Sequence, residues 1–233
     1  MSPPTTRRLP LFPLPNVVHF PDTDLRLHIF EPRYRQLIHD LHKLPAAERL
    51  IGMVLLKPGW DSLEASGEER SSQPAIYQQG TAGLLVELDE LGDGRSNIVL
   101  RGQYRFEVKN EFPSHPYRQA NVWPVDEPRT LRAPDEAALL VAEIGDLLQS
   151  LRHRIGTSFP IHASPRPTIE FSLLELVNTV ASQIDIPAQN KLDLLGHELP
   201  ERAARVISIL RSRTRVLDLL EPFRGNDANP ELN

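Results

Sequence analysis

Cysteine is absent from this 233-residue sequence, and several motifs that carry chemistry are absent with it. Without a thiol the chain forms no disulfide, offers no thiolate nucleophile and holds no Cys-ligated zinc. None of its lysines follows a glycine, so a Gly-Lys-Ser/Thr phosphate loop is excluded. No serine stands in a Gly-x-Ser-x-Gly context. We therefore expect no ATPase activity, no peptidase activity and no cofactor.

Long apolar runs are missing too. No stretch approaches the roughly 18 uninterrupted apolar residues of a membrane span, and residues 1–10 lack the apolar core of a secretory signal. These absences predict a cytoplasmic protein with no membrane partner.

The chain also has no excess of positive over negative charge. The formal net charge is −5, and both the segment 1–129 and the segment 130–233 have more acidic than basic residues. Sequence-independent binding to phosphates needs clustered Lys and Arg, so no nucleic-acid partner is expected.

Short apolar runs rich in β-branched residues characterise the first 129 residues. Several alternate with polar residues, which is typical of half-buried strands. Predicted strands cover residues 16–20, 25–30, 50–56, 83–91, 96–100, 104–108 and 119–125. The step Asp93-Gly94 joins two of them and predicts a hairpin, because Gly readily takes the positive φ of a tight turn.

One helix interrupts these strands and one long loop follows it. Pro32 fits the first turn of a helix, and residues 34, 37, 38 and 41 put apolar side chains on one face of it. The polar stretch 57–75 predicts a long mobile loop. Trp60 in that loop is the large aromatic residue that we expect to be exposed.

The hydrophobic period changes to 3.6 after residue 129. Helices are predicted from 133 to 156, from Ser172 to about 187, from 188 to 196, and from 200 to 220. Ser172 and Glu175 have the spacing of a capping box. The sequence thus predicts a β-rich subdomain over 1–129, a helical subdomain over 130–222, and a flexible tail over 223–233.

Several segments in order along the chain resemble one known family. They are residues 9–21, with the letters LPLFPLPNVVHFP, residues 25–34, with LRLHIFEPRY, and shorter matches at 51–55, 80–83, 99–102, 104–106, 174–181 and 191–195. Together they resemble the N-terminal, substrate-binding domain of Lon-type ATP-dependent proteases over about residues 9–220. The sequence departs from the family pattern at His19, where an aliphatic residue is usual, and at Asp22, where Gly is common.

This resemblance implies an α+β fold, in which a PUA-like twisted β-sheet or pseudo-barrel is followed by a C-terminal α-helical bundle. It implies a stand-alone, non-catalytic protein- or peptide-binding module without the Lon ATPase and peptidase. The expected partners are unfolded or extended polypeptides, or one specific protein, with strand edges as a place where a peptide adds by strand pairing. RNA binding is the alternative, because PUA-like folds often recognise RNA.

The block from Phe30 to Tyr34 concentrates charge and aromatic residues at a strand-to-helix turn. In the structural interpretation the aromatic residues anchor the helix on the sheet and the charges are paired. The signature residues in this interpretation are Glu31, Pro32, Arg33, Arg101 and Arg105. In the functional interpretation Phe30, Tyr34 and Trp60 contact a peptide or protein partner.

Two other groups of polar residues invite a functional interpretation. His39 and His42 lie on one side of the predicted helix, and Glu87, Asp89 and Glu90 end a predicted strand. Solvated surfaces explain both groups better than a metal or an acid–base site, because no Cys and no His-Glu-x-x-His motif accompanies them. No metal site and no catalytic residue is predicted.

Overall fold

The computed structural model describes residues 6–59, 74–112, 116–127, 134–156, 161 and 172–220. Within these ranges the strands are β1 (Arg7–Leu14), β2 (Asp24–Ile29), β3 (Leu50–Leu56), β4 (Ile76–Glu90), β5 (Ser96–Phe112) and β6 (Gln119–Val125). The α-helices are α1 (Pro32–His42), α2 (Pro134–Ile155), α3 (Leu173–Gln183), α4 (Ala188–Gly196) and α5 (Leu199–Leu220). A single 3₁₀ turn at Ala46–Glu48 precedes β3.

The six strands form one sheet that closes on itself. Their order is β2-β5-β4-β3-β1-β6, and β6 also pairs with residues 105–112 of β5, which closes the ring. The β1–β3 pair is parallel, and the other pairs are antiparallel. Strand β2 is not part of the ring, because it pairs only with residues 96–101 at the start of β5. The predicted α+β class with a pseudo-barrel is confirmed.

Strand β5 is long enough to pair with β2 through its first residues and with β6 through its last ones. The predicted runs 96–100 and 104–108 belong to this one strand, which passes through Gly102. A Cβ at residue 102 would lie 2.1 Å from the carbonyl oxygen of Phe20, so only glycine admits the chain segment before β2. At the other end the predicted hairpin is confirmed, with Gly94 at a φ of 78° in the β4–β5 turn.

The first strand is where the sequence prediction was wrong. We predicted a strand at residues 16–20, whereas the structure places β1 at Arg7–Leu14 and leaves 16–20 irregular. Pro10 and Pro13 lie inside β1. Prolines normally count against a strand because they donate no hydrogen bond. Here pairing with β3 and β6 outweighs them, since Leu9, Leu11 and Phe12 are buried in the ring.

Helix α1 forms as predicted and covers one face of the sheet. Tyr34, Leu37, Ile38 and Leu41 are buried in a cluster with residues of β1, β3 and β5. Pro32 occupies the first turn, where a missing N–H leaves no hydrogen bond unmade.

The chain divides into two compact units, and the first is discontinuous in sequence. It comprises Met1–Glu127 and Asp185–Gly196, so it contains the sheet, α1 and α4. The second comprises Pro128–Ile184 and His197–Asn233. The predicted subdomain boundaries at residues 129 and 222 stay predictions.

The second unit is helical in its described residues. Ser172 and Glu175 form the predicted capping box, since the Ser172 hydroxyl accepts from the Glu175 N–H and the Glu175 carboxylate accepts from the Ser172 N–H. Arg202 on α5 is fully buried and donates to the Asn178 side chain on α3 over 2.7 Å. None of the helices described has both the length and the apolarity that crossing a membrane requires.

Candidate functional site

Tyr34 lies in the core and not on the surface. Its side chain is 4% exposed and stacks on Phe12 with ring centroids 3.9 Å apart. Burial raises the pKa of its hydroxyl to about 12. Tyr34 therefore anchors α1, as the structural interpretation of the motif predicted, and we do not assign it to a binding surface.

Phe30 has the opposite environment. It is 60% exposed, so the expectation that it anchors α1 was wrong. Its ring stacks on His28 with a centroid separation of 6.1 Å. The alternation of β2 explains the exposure, because Ile29 points into the core and the next residue must point outward. Phe30 remains a candidate for partner contact, whereas Trp60 lies outside the described residues.

The charged residues of the motif are paired locally. Arg33 Nε donates to Glu31 over 2.8 Å. Arg101 is paired with Asp24 across the β2–β5 ladder. Glu31 and Arg33 thus pair with each other.

Arg105 is buried inside the first unit, away from the strand-to-helix motif at residues 30–34. Its guanidinium is almost fully buried, lies 3.2 Å from the Glu127 carboxylate and donates to the Leu195 carbonyl over 2.9 Å. This side chain connects β5, the segment after β6 and α4. Arg105 is therefore an internal support and not part of a surface site.

The exposed side of β2 is the candidate site. Strand β2 pairs with β5 on one side, and within the described part of the chain no strand pairs with its other side. We call this open side, together with Phe30, the β2 edge. An unpaired strand edge offers backbone donors and acceptors to any extended chain of suitable sequence.

The ladder fixes which backbone groups the β2 edge offers. The Gly102 N–H donates to the Thr23 carbonyl over 2.9 Å, and this bond sets the phase of the β2–β5 ladder. Because hydrogen-bonded pairs alternate in an antiparallel ladder, Leu25 and Leu27 direct their backbone groups to β5. Arg26 and His28 therefore direct their N–H and C=O groups to the open side.

Polar side chains cover the outer face of this part of the sheet. His28 Nδ1 lies 2.8 Å from Asn97 Oδ1, and Asn97 Nδ2 donates to Asp89 over 3.3 Å. Since the amide oxygen only accepts, His28 Nδ1 is the donor. Arg26 lies 3.9 Å from Glu87, at the limit of an ion pair, and its side chain is 78% exposed. These residues line an open surface depression.

Apolar side chains cover the inner face. Leu25 and Leu27 are partly buried against the cluster that contains Ile98, Leu100 and helix α1. A strand that added to the β2 edge would therefore have one row of its side chains beside these leucines and the other beside Arg26 and His28.

Sequence reasoning missed a second exposed aromatic residue, Trp123 on β6. It is 38% exposed, and the Lys109 ammonium lies 4.7 Å from its ring centroid. The alternation of β6 was a usable signal, because the neighbouring Val122 is buried and residue 123 must point outward.

The polar groups considered for metal binding do not assemble into a site. His39 and His42 are exposed on α1, and Glu87, Asp89 and Glu90 are all exposed on β4. In the part of the chain that the structure describes, no three His, Cys, Asp or Glu residues form a group suited to a metal ion.

Relatives with curated descriptions are Lon proteases. The chain is 27% identical over 219 residues to the Lon protease of Parabacteroides distasonis, covering 91% of this chain and 24% of that protein. It is 26% identical over 219 residues to Lon protease 2 of Syntrophobacter fumaroxidans, covering 92% and 25%. The chain thus spans about a quarter of the length of these relatives.

Solved structures show the same fold. The N-terminal domain of the Mycobacterium avium complex Lon protease matches with a TM-score of 0.64 at 15% identity, covering 88% of this chain and 98% of that one. A Lon N-terminal domain protein from Xanthomonas campestris matches with a TM-score of 0.58 at 21% identity, covering 87% and 98%. A sequence model of the ATP-dependent protease La (LON) substrate-binding domain matches residues 8–212. With most of its length matched in sequence and in fold, the chain belongs to the LON substrate-binding domain family.

Proposed function

We propose that this domain binds extended segments of other polypeptides at the β2 edge, and that it does so without chemistry of its own. The observation that carries the proposal is an open strand edge that ends in the exposed Phe30. Strand addition supplies main-chain hydrogen bonds that any sequence offers, and an aromatic side chain adds apolar contact.

Membership in a substrate-binding family supports the same conclusion. The family is described by its role in binding protease substrates, and the relatives matched are proteases, which act on polypeptides. The RNA-binding alternative gains no support from these matches, and the acidic net charge of −5 counts against it.

We also propose that binding belongs to the β-rich subdomain 1–129, while the helical subdomain 130–222 makes no direct contact with the bound segment. The β2 edge and Phe30 lie wholly within the first of these ranges.

Fluorescence anisotropy with a labelled, permanently unfolded polypeptide tests the proposal. We expect saturable binding that changes little between low and high salt, because main-chain and apolar contacts are screened only weakly. Phe30→Ala should weaken binding about threefold to tenfold, as loss of a partly buried aromatic contact does. Leu139→Ala is the matched control, since it removes another exposed apolar side chain, on α2.

A labelled RNA hairpin is the second ligand in this experiment. Saturable RNA binding that collapses with salt, together with no polypeptide binding, would replace the proposal with the RNA alternative. Equal weakening by Phe30→Ala and Leu139→Ala would remove the β2 edge as the site.

A further inference from the structure

We propose that the β2 edge selects extended segments that carry acidic side chains at alternate positions, with apolar residues between them. This inference rests on the proposed function, because it specifies which polypeptides the same edge prefers. The partner is an acidic–apolar alternating segment that adds as a strand beside β2.

The backbone phase determines where the side chains of the partner go. Residues of an added antiparallel strand that face Arg26 and His28 exchange both hydrogen bonds with them. Directly opposed residues share a face, so the side chains at these partner positions lie on the polar outer face. The intervening partner residues place their side chains next to Leu25 and Leu27 on the apolar inner face.

The charges along the outer face are unevenly distributed. Arg26 lies on β2 at the open edge, whereas Glu87 and Asp89 lie on β4, two strands away from it. Asp24, the acidic residue of β2, is already held by the Arg101 guanidinium. An added strand therefore meets Arg26 first.

Arg26 is available for a second carboxylate. Its only ion pair among the described contacts spans 3.9 Å to Glu87, and both side chains are mostly exposed. A guanidinium has five N–H donors in a planar fork, which one distant carboxylate does not use up. An aspartate or glutamate on the partner can thus accept hydrogen bonds from the Arg26 N–H groups that Glu87 does not use.

A second copy of this chain fits the edge less well. Antiparallel pairing of β2 with β2 of another molecule, centred on Arg26, brings the two Arg26 side chains directly opposite each other. Pairing centred on Leu25 brings Arg26 opposite Asp24, whose carboxylate the Arg101 guanidinium already holds. Directly opposed cationic side chains disfavour pairing. The exposed charge of Arg26 likewise protects the edge against indiscriminate pairing, which is a common role of edge cations. The same charge that excludes a second copy favours an acidic segment.

Short synthetic peptides test the selectivity. One alternates valine with aspartate, a second alternates valine with lysine, and each is measured by anisotropy on the complete protein. We expect the aspartate peptide to bind at least about fivefold more tightly than the lysine peptide, because attraction at Arg26 is replaced by repulsion. Arg26→Glu should abolish or reverse that preference. Arg215→Glu on the exposed surface of α5 is the control, since it makes the same change in net charge elsewhere.

N-methylation tests the strand geometry independently of charge. Methyl groups on the aspartate nitrogens remove the N–H groups that face Arg26 and His28, so binding should be lost. Methyl groups on the valine nitrogens, which point away from β2, should leave binding within about twofold. Circular dichroism of each protein variant checks that it remains folded.

The outcomes separate this inference from the proposed function. Binding of the unfolded polypeptide without any aspartate preference, or equal effects of the two methylation patterns, overturns the selectivity inference and leaves polypeptide binding standing. Absence of binding to every peptide and to the unfolded polypeptide overturns both. A wild-type protein that dimerises in analytical ultracentrifugation, and whose dimer Arg26→Glu disrupts, shows that a second copy occupies the edge and overturns the inference.

Discussion

Asp22 occupies a backbone conformation that normally belongs to glycine. Its φ is 60°, and it is the only residue other than glycine with positive φ among those the structure describes. Where the family commonly has Gly, this chain therefore has a residue that adopts the same left-handed conformation less readily. The turn is held in place because the Asp22 N–H donates to the Gly102 carbonyl over 3.0 Å.

Replacing Asp22 with glycine should stabilise the protein. Relief of the left-handed conformation is worth about 1–2 kcal/mol, and the greater freedom of glycine in the unfolded chain offsets part of it. We expect Asp22→Gly to raise the free energy of unfolding in urea by about 0.5–1 kcal/mol. A decrease would mean that a contact of the aspartate side chain outweighs the strain.

His19 is the second residue that departs from the family pattern, and it is buried. Its Nε2 lies 3.0 Å from the Thr23 carbonyl, so Nε2 carries the proton, while Nδ1 has no hydrogen-bond partner among the described residues. Burial lowers the pKa of this imidazole below its ordinary value of 6.5, although the Thr23 carbonyl and Asp24 act in the other direction.

The lowered pKa makes stability depend on pH. Around and below pH 6.5 the unfolded chain binds a proton at His19 more readily than the folded chain does, so stability falls as the pH falls. This loss develops between pH 7.5 and 5.5, on either side of the ordinary pKa of 6.5. Urea denaturation of wild type and His19→Leu should show that the wild type loses more stability over this interval. Parallel pH profiles for the two proteins would contradict this assignment.

At the scale of the element, local signals were readable from the sequence and pairing was not. Helix α1 and the capping box at Ser172 depend on residues within one or two turns, and both were predicted correctly. Strand β1 depends on pairing with β3 and β6, which are distant in sequence. The prolines of β1 therefore count against a strand in the sequence, because the pairing that compensates for them is not visible locally.

The candidate site was only partly predictable for the same reason. Alternation along β2 was readable and indicates that Phe30 points outward, although the structural interpretation of the motif had it anchor α1. That β2 has an open side depends on β6 closing the ring with β5 and not with β2. No local pattern in Asp24–Ile29 contains that information.

Helix α4 and the sheet share a buried polar connection that should be sensitive to mutation. Arg105→Met removes the guanidinium from the buried Glu127 and the donor from the Leu195 carbonyl. Breaking a buried pair from one side typically costs about 3–5 kcal/mol. We expect a loss of this size in urea denaturation and faster amide exchange in α4.

Two further variants define the control for this result. The double variant Arg105→Met with Glu127→Met should be more stable than Arg105→Met alone, because no buried charge then lacks its counter-charge. Arg95→Met breaks the exposed pair with Asp93 in the hairpin and should leave stability unchanged within error. If all three variants behave alike, the connection has no special role.

At the scale of the whole molecule, the first unit is assembled from two distant parts of the chain. Residues 185–196 belong with 1–127, and Leu192, Leu194 and Leu195 of α4 are buried. A fragment that ends at residue 129 lacks this helix.

We therefore expect the isolated fragment 1–129 to be less stable than the same sheet within the complete chain, and to bind a synthetic peptide of residues 184–197. Thermal melts should show a higher melting temperature when the peptide is added, because a ligand that binds only the folded form stabilises it by mass action. A peptide in which Leu192, Leu194 and Leu195 are replaced by serine is the control. No shift with the natural peptide would mean that the sheet is complete without α4.

The same discontinuity sets an order of events during synthesis. Translation proceeds at roughly 5–20 residues per second, so several seconds separate the appearance of Glu127 from that of Gly196. Throughout that interval the nascent sheet lacks its last helix, and Arg105 lacks the Leu195 carbonyl. The sheet therefore reaches its complete native environment only after Gly196 has been synthesised.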